Sequence, residues 1–414
     1  MNRLDKKDNR QLALVLSGGG ARGAYEVGII HYIRTMLPAS VRHRRFPIQC
    51  GSSVGAINTC FMASTANDLE HQGKRIVSLW RELKTENIYS RNLSALSHFL
   101  AKSTLGILGN LFRHDFFKEK HGVKPHFFAL FDTKPFLPHL NKIIDWKQLH
   151  QNVREKLVDS ISLVATRMRT GSPEIFIQKG GKSSSKGDYP IHEVDLGPEH
   201  AMGSAAIPLV FPSVVIGDNR YVDGSVRLNT PLSPAIHLGA RKILTISLNA
   251  RHGNKTEHAC PETRCPPSLG EHLGKLFNAF FLDRLNYDMD QLERINRMIE
   301  ASEKIYGKDY LDRINSVLGD RHPIDKIDLL EIGPSQPLSS VFAEWYRRGS
   351  SKVHSMTLLE KFLMKALDIE PALSLDLMSY LTFEKGYLEQ LIEIGFQDAK
   401  KYHGQLLNFL EEPS

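Results

Sequence analysis

LALVLSGGGARG, residues 12–23, decides how this chain is read. Leu12 to Leu16 are apolar without alternation. A strand with one wet face alternates, whereas an unbroken apolar run is covered on both faces, as in a parallel sheet. The run ends at Ser17 and three glycines. Val27, Ile30, Tyr32, Ile33 and Leu37 then recur at helical spacing until Pro38 stops the helix. The same order follows at once. PIQC, residues 47–50, reads as a short strand, CGSSVGAINT, residues 50–59, holds a second glycine turn, and Val54 to about Ser64 suits a helix packed on a sheet. Strand, glycine turn, helix, twice over, is the pattern of an α/β protein with a mostly parallel sheet.

Working outward, the rhythm breaks over residues 85–150. Eight of the chain's twenty phenylalanines lie between Phe99 and Phe136, interrupted by glycine and lysine, which reads as an inserted cap. Strand-like runs resume at 161–165, 174–177 and 213–216 and end at 242–248, with a polar loop at 180–188. A linker follows Ala250. Beyond it the chain reads as helices to residue 414, with 327–332 as one returning strand. The expected organisation is an α/β domain over 1–250, with the cap at about 85–150, and a mostly helical region over 251–414.

Composition bounds the partners. Of 414 residues, 41% are hydrophobic and 24% charged, the balance of a globular protein. The 53 Lys and Arg exceed the 46 Asp and Glu only mildly, and no nucleic-acid module interrupts them, so nucleic acid is not an expected partner. The excess concentrates in residues 91–150, where nine basic residues face four acids. With the phenylalanines, the segment 102–124 reads as a peripheral contact for an anionic membrane surface, which also leaves a non-catalytic membrane-binding module as an alternative reading of the chain. Four cysteines are too few for a disulfide scaffold; Cys260 and Cys265 are the one closely spaced pair outside the serine motif. There is no signal-peptide pattern and no run long enough to span a bilayer, so a cytoplasmic location is expected.

Three glycine sites carry the chemistry. SGGGARG, residues 17–23, opens a helix, where unpaired N–H groups and close backbone approach make a cradle for a phosphate or an oxyanion. Gly18, Gly20 and Gly23 satisfy the dinucleotide fingerprint, yet no acid lies between Glu26 and Asp68 to take a ribose, which leaves an NADP-binding oxidoreductase, through Arg42 or Arg44, as one rival. Gly51, Ser53 and Gly55 form G-x-S-x-G. A chain of this length contains that spacing by chance about one time in ten. Here it stands where a strand turns into a helix, the context that thrusts a serine hydroxyl into the open. In YVDGSVRLNTP, residues 221–231, Asp223 precedes a glycine turn at Gly224 and Ser225 and is the candidate base.

These sites in this order resemble the patatin-like phospholipase family over roughly residues 10–250. GGGARG at 18–23 matches its oxyanion loop, GSSVG at 51–55 its nucleophile elbow, and Asp223 the aspartate of its D-G-[GA] motif. GSAAIPLVFP (203–212) and VRLNTPLSPAIHLGA (226–240) are similar as well. The resemblance implies a three-layer α/β/α sandwich and a Ser53–Asp223 dyad. The oxyanion hole would be built on Gly18, Gly19, Gly20, Ala21, Arg22 and Gly23. It also implies hydrolysis of a lipid ester through an acyl-enzyme, with no metal or organic cofactor. Ser225 stands where the family usually has glycine or alanine. An ordinary Ser-Asp-His triad would draft His237, fourteen residues after Asp223.

Overall fold

A computed structural model describes residues 12–90, 129, 131–181, 189–250, 285–318, 324–349 and 377–411. The basic segment 102–124, the Cys260–Cys265 pair and most of the polar loop lie outside the described residues.

Among the described residues nine strands form one sheet: Leu12–Leu16 (β1), Ile48–Ser52 (β2), Ser160–Arg167 (β3), Pro173–Lys179 (β4), Ile191–Glu193 (β5), Val214–Ile216 (β6), Asn219–Asp223 (β7), Lys242–Ile246 (β8) and Asp328–Ile332 (β9). Their order is β5-β4-β3-β2-β1-β8-β9, and β3-β2-β1-β8-β9 run parallel. The apolar run of β1 lies at the centre. Leu12, Leu14 and Leu16 join one core and Ala13 and Val15 the other, which is the period-2 alternation of a strand wetted on neither side. No helix among the described residues is long and apolar enough to cross a membrane.

Helices cover both faces. Ala24–Met36 (α1), Val54–Ser64 (α2), Leu69–Glu82 (α3) and Phe136–Ile143 (α4) pack on the face of Leu14 and Leu16. Pro198–Ser204 (α5) lies beside β3 and the β6–β7 hairpin. Leu232–His237 (α6) and the long helix Leu285–Tyr306 lie against Ala13 and Val15. The C-terminal region is largely helical but not separate. It returns β9 to the sheet beside β8, and Lys385–Lys401 (α7) lies along α1. A Cβ at Gly28 would stand 2.0 Å from the Ile392 carbonyl oxygen and one at Gly395 2.1 Å from that of Tyr25, so the two helices touch backbone to backbone.

One departure from the parallel rule builds the site. β7 runs antiparallel to β3 along the same edge that β2 occupies. β2 ends with Ser52 opposite Val164, and β7 ends with Asp223 opposite Ala165, the next residue of β3. Two strands therefore lie end to end on one rail, pointing at each other. This is the physical reason residues 53 and 223 meet.

Candidate active site

Ser53 joins β2 to α2 with φ 52° and ψ −124°, a left-handed backbone that a residue bearing a Cβ adopts only under constraint. The constraint comes from its flanks. A Cβ at Gly51 would stand 2.3 Å from the Gly55 carbonyl oxygen, and one at Gly55 2.4 Å from that of Leu16. Only hydrogen fits at either place, so the tight turn needs both glycines of the motif. The Ser53 N–H donates to Ser204 Oγ at 2.9 Å, and Ser204 donates on to the Val164 carbonyl at 2.6 Å, tying the turn to α5 and β3.

Asp223 is fully buried at the tip of β7. Its N–H donates to the Ala206 carbonyl and its own carbonyl accepts from Thr166 Oγ1, which fixes the backbone on both sides. Ser53 Oγ donates to Asp223 Oδ2 at 2.6 Å, and the Ser225 N–H donates to Oδ1 at 2.8 Å. Burial pushes the Asp223 carboxyl up to about 6, with the hydrogen bonds from Ser53 and Ser225 pulling the other way. The serine at 225 leaves the turn intact: its N–H orients the carboxylate, and its hydroxyl sits 3.4 Å from that of Ser52.

The glycine loop lies against this pair. A Cβ on Gly18 would reach within 2.9 Å of Ser53 Cβ. The Gly18 N–H is taken by Asn229, through both its side-chain and its main-chain oxygen, and the Arg22 N–H by the Gly19 carbonyl. Among the described residues nothing accepts from the N–H groups of Gly19, Gly20 or Ala21. Gly20, at φ +56°, and Ser53 line one cavity of about 570 Å³, counting its mouth, whose walls include Ile57, Trp80, Phe136, Phe211 and Phe383. Apolar groups dominate its walls, as in the sites that bury the apolar part of a small molecule. His139 is also in the wall. Its buried Nε2 has no hydrogen-bond partner among the described residues, and burial lowers its pKa.

The triad residue is placed elsewhere. His237 Nδ1 lies 2.8 Å from the Ser233 carbonyl on its own helix, and no histidine among the described residues bonds Ser53 or Asp223. The arginines of the dinucleotide reading are also engaged: Arg44 donates to the Leu410 carbonyl, and Arg42 lies 3.6 Å from Glu70. Sequence reasoning missed Ser204, Asn229 and Ser379. The first two stand inside stretches already singled out. Ser379 carries no local signal, yet its Oγ accepts from Arg22 Nε and Nη2 at 2.9 and 2.5 Å.

The fold is an α/β sandwich with a mostly parallel sheet, and the family that it matches makes it that of a lipid hydrolase. The sequence profile of the patatin-like phospholipases matches residues 14–236, more than half of the chain, and the chain belongs to that family. No curated protein matches it in sequence. Among solved structures it is similar to VipD from Legionella pneumophila, at 14% identity and a TM-score of 0.34, covering 96% of this chain and 67% of that one. It is also similar to the heterodimeric ExoU–SpcU complex of the type III secretion system of Pseudomonas aeruginosa. There the identity is 14% and the TM-score 0.26, covering 90% of this chain and 74% of that one.

Proposed function

We propose that the protein cleaves carboxylic esters of lipids, with Ser53 as nucleophile and Asp223 as its only base. The observation that carries this is the 2.6 Å hydrogen bond to a fully buried carboxylate from the hydroxyl of Ser53, a residue that lines an apolar cavity. A carboxylate held near pKa 6 is a stronger base than an exposed one. Asp223 accepts the hydroxyl proton as Ser53 Oγ attacks the acyl carbon. The oxygen that gains charge faces the N–H groups of Gly19, Gly20 and Ala21, whose fixed dipoles need no rearrangement at that moment. Protonated Asp223 then returns the proton to the leaving alcohol. Water, deprotonated by the same carboxylate, releases the acid and regenerates Ser53. Among the described residues the cavity walls carry no lysine or arginine, so they suit the acyl chain, and an ionic head group stays at the mouth. A membrane contact through the basic, phenylalanine-rich segment would bring such substrates to the site.

A fluorophosphonate probe tests the reading without the natural substrate. It is expected to label the wild type and to leave Ser53→Ala unlabelled, with circular dichroism unchanged. Equal labelling of both would remove Ser53 from its role. A soluble aryl ester of a fatty acid should lose turnover in parallel.

A further inference from the structure

The glycine loop is gripped by a segment of chain far beyond residue 236, where the family match ends. Ser379 is fully buried, and its Oγ takes two N–H groups of the Arg22 guanidinium. The same guanidinium lies 3.8 Å above the centre of the Tyr380 ring, so both its hydrogen bonds and its plane are fixed. Gly20 is so close to the Tyr380 main chain that a Cβ would stand 2.2 Å from its carbonyl oxygen. These contacts fall on either side of Ala21, and so bracket the amides of the glycine loop. The segment is itself anchored: Tyr89 donates to the Leu381 carbonyl and Tyr387 to that of Ser379. Tyr380 and Phe383 complete the wall of the cavity.

We propose that Ser379 is a positioning residue, which through Arg22 holds the amides of residues 19–21 in place against Ser53, so that a segment outside the recognised domain completes the catalytic site. The proposal rests on the Ser53 reading. Charge on the substrate oxygen develops only as the acyl carbon is attacked, so loosening the loop weakens the transition state and leaves ground-state binding of the acyl chain alone. The signature is a fall in kcat with little change in KM.

The experiment compares full-length wild type, Ser379→Ala and Ser379→Thr on a soluble aryl ester, with the rate of fluorophosphonate labelling and the thermal midpoint measured on the same samples. Ser379→Ala is expected to lower kcat about tenfold, to hold KM within twofold and to slow labelling in proportion; Ser379→Thr, which restores the acceptor oxygen, recovers most of the rate. An unchanged kcat in Ser379→Ala, even with a lowered thermal midpoint, assigns the residue to packing and overturns the proposal. A rise in KM at constant kcat overturns it too, because the segment would then only bind substrate. Should Ser379→Ala not fold, Arg22→Lys keeps the charge but loses the paired grip. It is expected to show the same kcat loss, and wild-type kcat there refutes the clamp. Absence of wild-type turnover and labelling counts against the Ser53 reading and takes the proposal with it. Wild-type turnover with an unaffected variant counts against the clamp alone.

Discussion

On the proposed mechanism, Asp223 ties chemistry to pH. Its carboxyl titrates at about 6 because it is buried, and only the ionised form can accept the Ser53 proton. On the proposed mechanism kcat/KM is expected to be flat above pH 7 and to fall tenfold per pH unit below about 6. A profile that stays flat to pH 5 would contradict this. The same burial has a stability consequence of opposite sense. A folded pKa raised above the unfolded value near 4 costs the folded state about 3 kcal/mol at any pH above both, and the cost vanishes as pH falls below both. Asp223→Asn is therefore expected to abolish turnover and to raise the denaturant midpoint at pH 8, an advantage that shrinks as pH falls from 6 to 4. His237→Ala should keep at least half of wild-type kcat, because its ring bonds Ser233 and not the carboxylate. At this scale much was legible. Ser53 and Asp223 stand beside glycines whose spacing betrays a turn, whereas Ser379 meets Arg22 across the chain with no pattern around it to read.

The element that matters most is the turn between β2 and α2. Gly55→Ala would drive a methyl carbon to 2.4 Å from the Leu16 carbonyl, a backbone atom of the central strand that cannot yield without moving the sheet. A loss of more than about 3 kcal/mol is expected, seen as insoluble expression or a collapsed urea midpoint. Gly395→Val tests the α1–α7 contact in the same way. The added side chain must push α7 off the Tyr25 carbonyl, at about 2–3 kcal/mol, with the catalytic turn left in place. The elements themselves were uneven in their legibility. β1 and α2 follow from an apolar run and from small residues after a glycine turn. β7 does not, because Asn219 and Arg220 give it no apolar start, and its pairing along the far end of β3 depends on where β2 stops.

At the scale of the whole molecule, residues beyond 250 are built into the architecture. β9 covers the outer edge of β8, and α7 covers α1. A chain cut after residue 250 is expected to aggregate on expression, since it bares a parallel edge and an apolar helix face. A monodisperse, active fragment on size exclusion would contradict that. This role was hidden in the sequence because an amphipathic helix shows that it has a buried face and not what buries it. The meeting of β2 and β7 on one rail has a last consequence. Slipping β7 by one residue would put Val222 at the junction and turn the carboxylate to the opposite side. Secondary structure would survive such an error and reactivity would not. A covalent serine reagent therefore doubles as a folding gauge, since the fraction of molecules it tags counts those that closed the sheet in the right alignment.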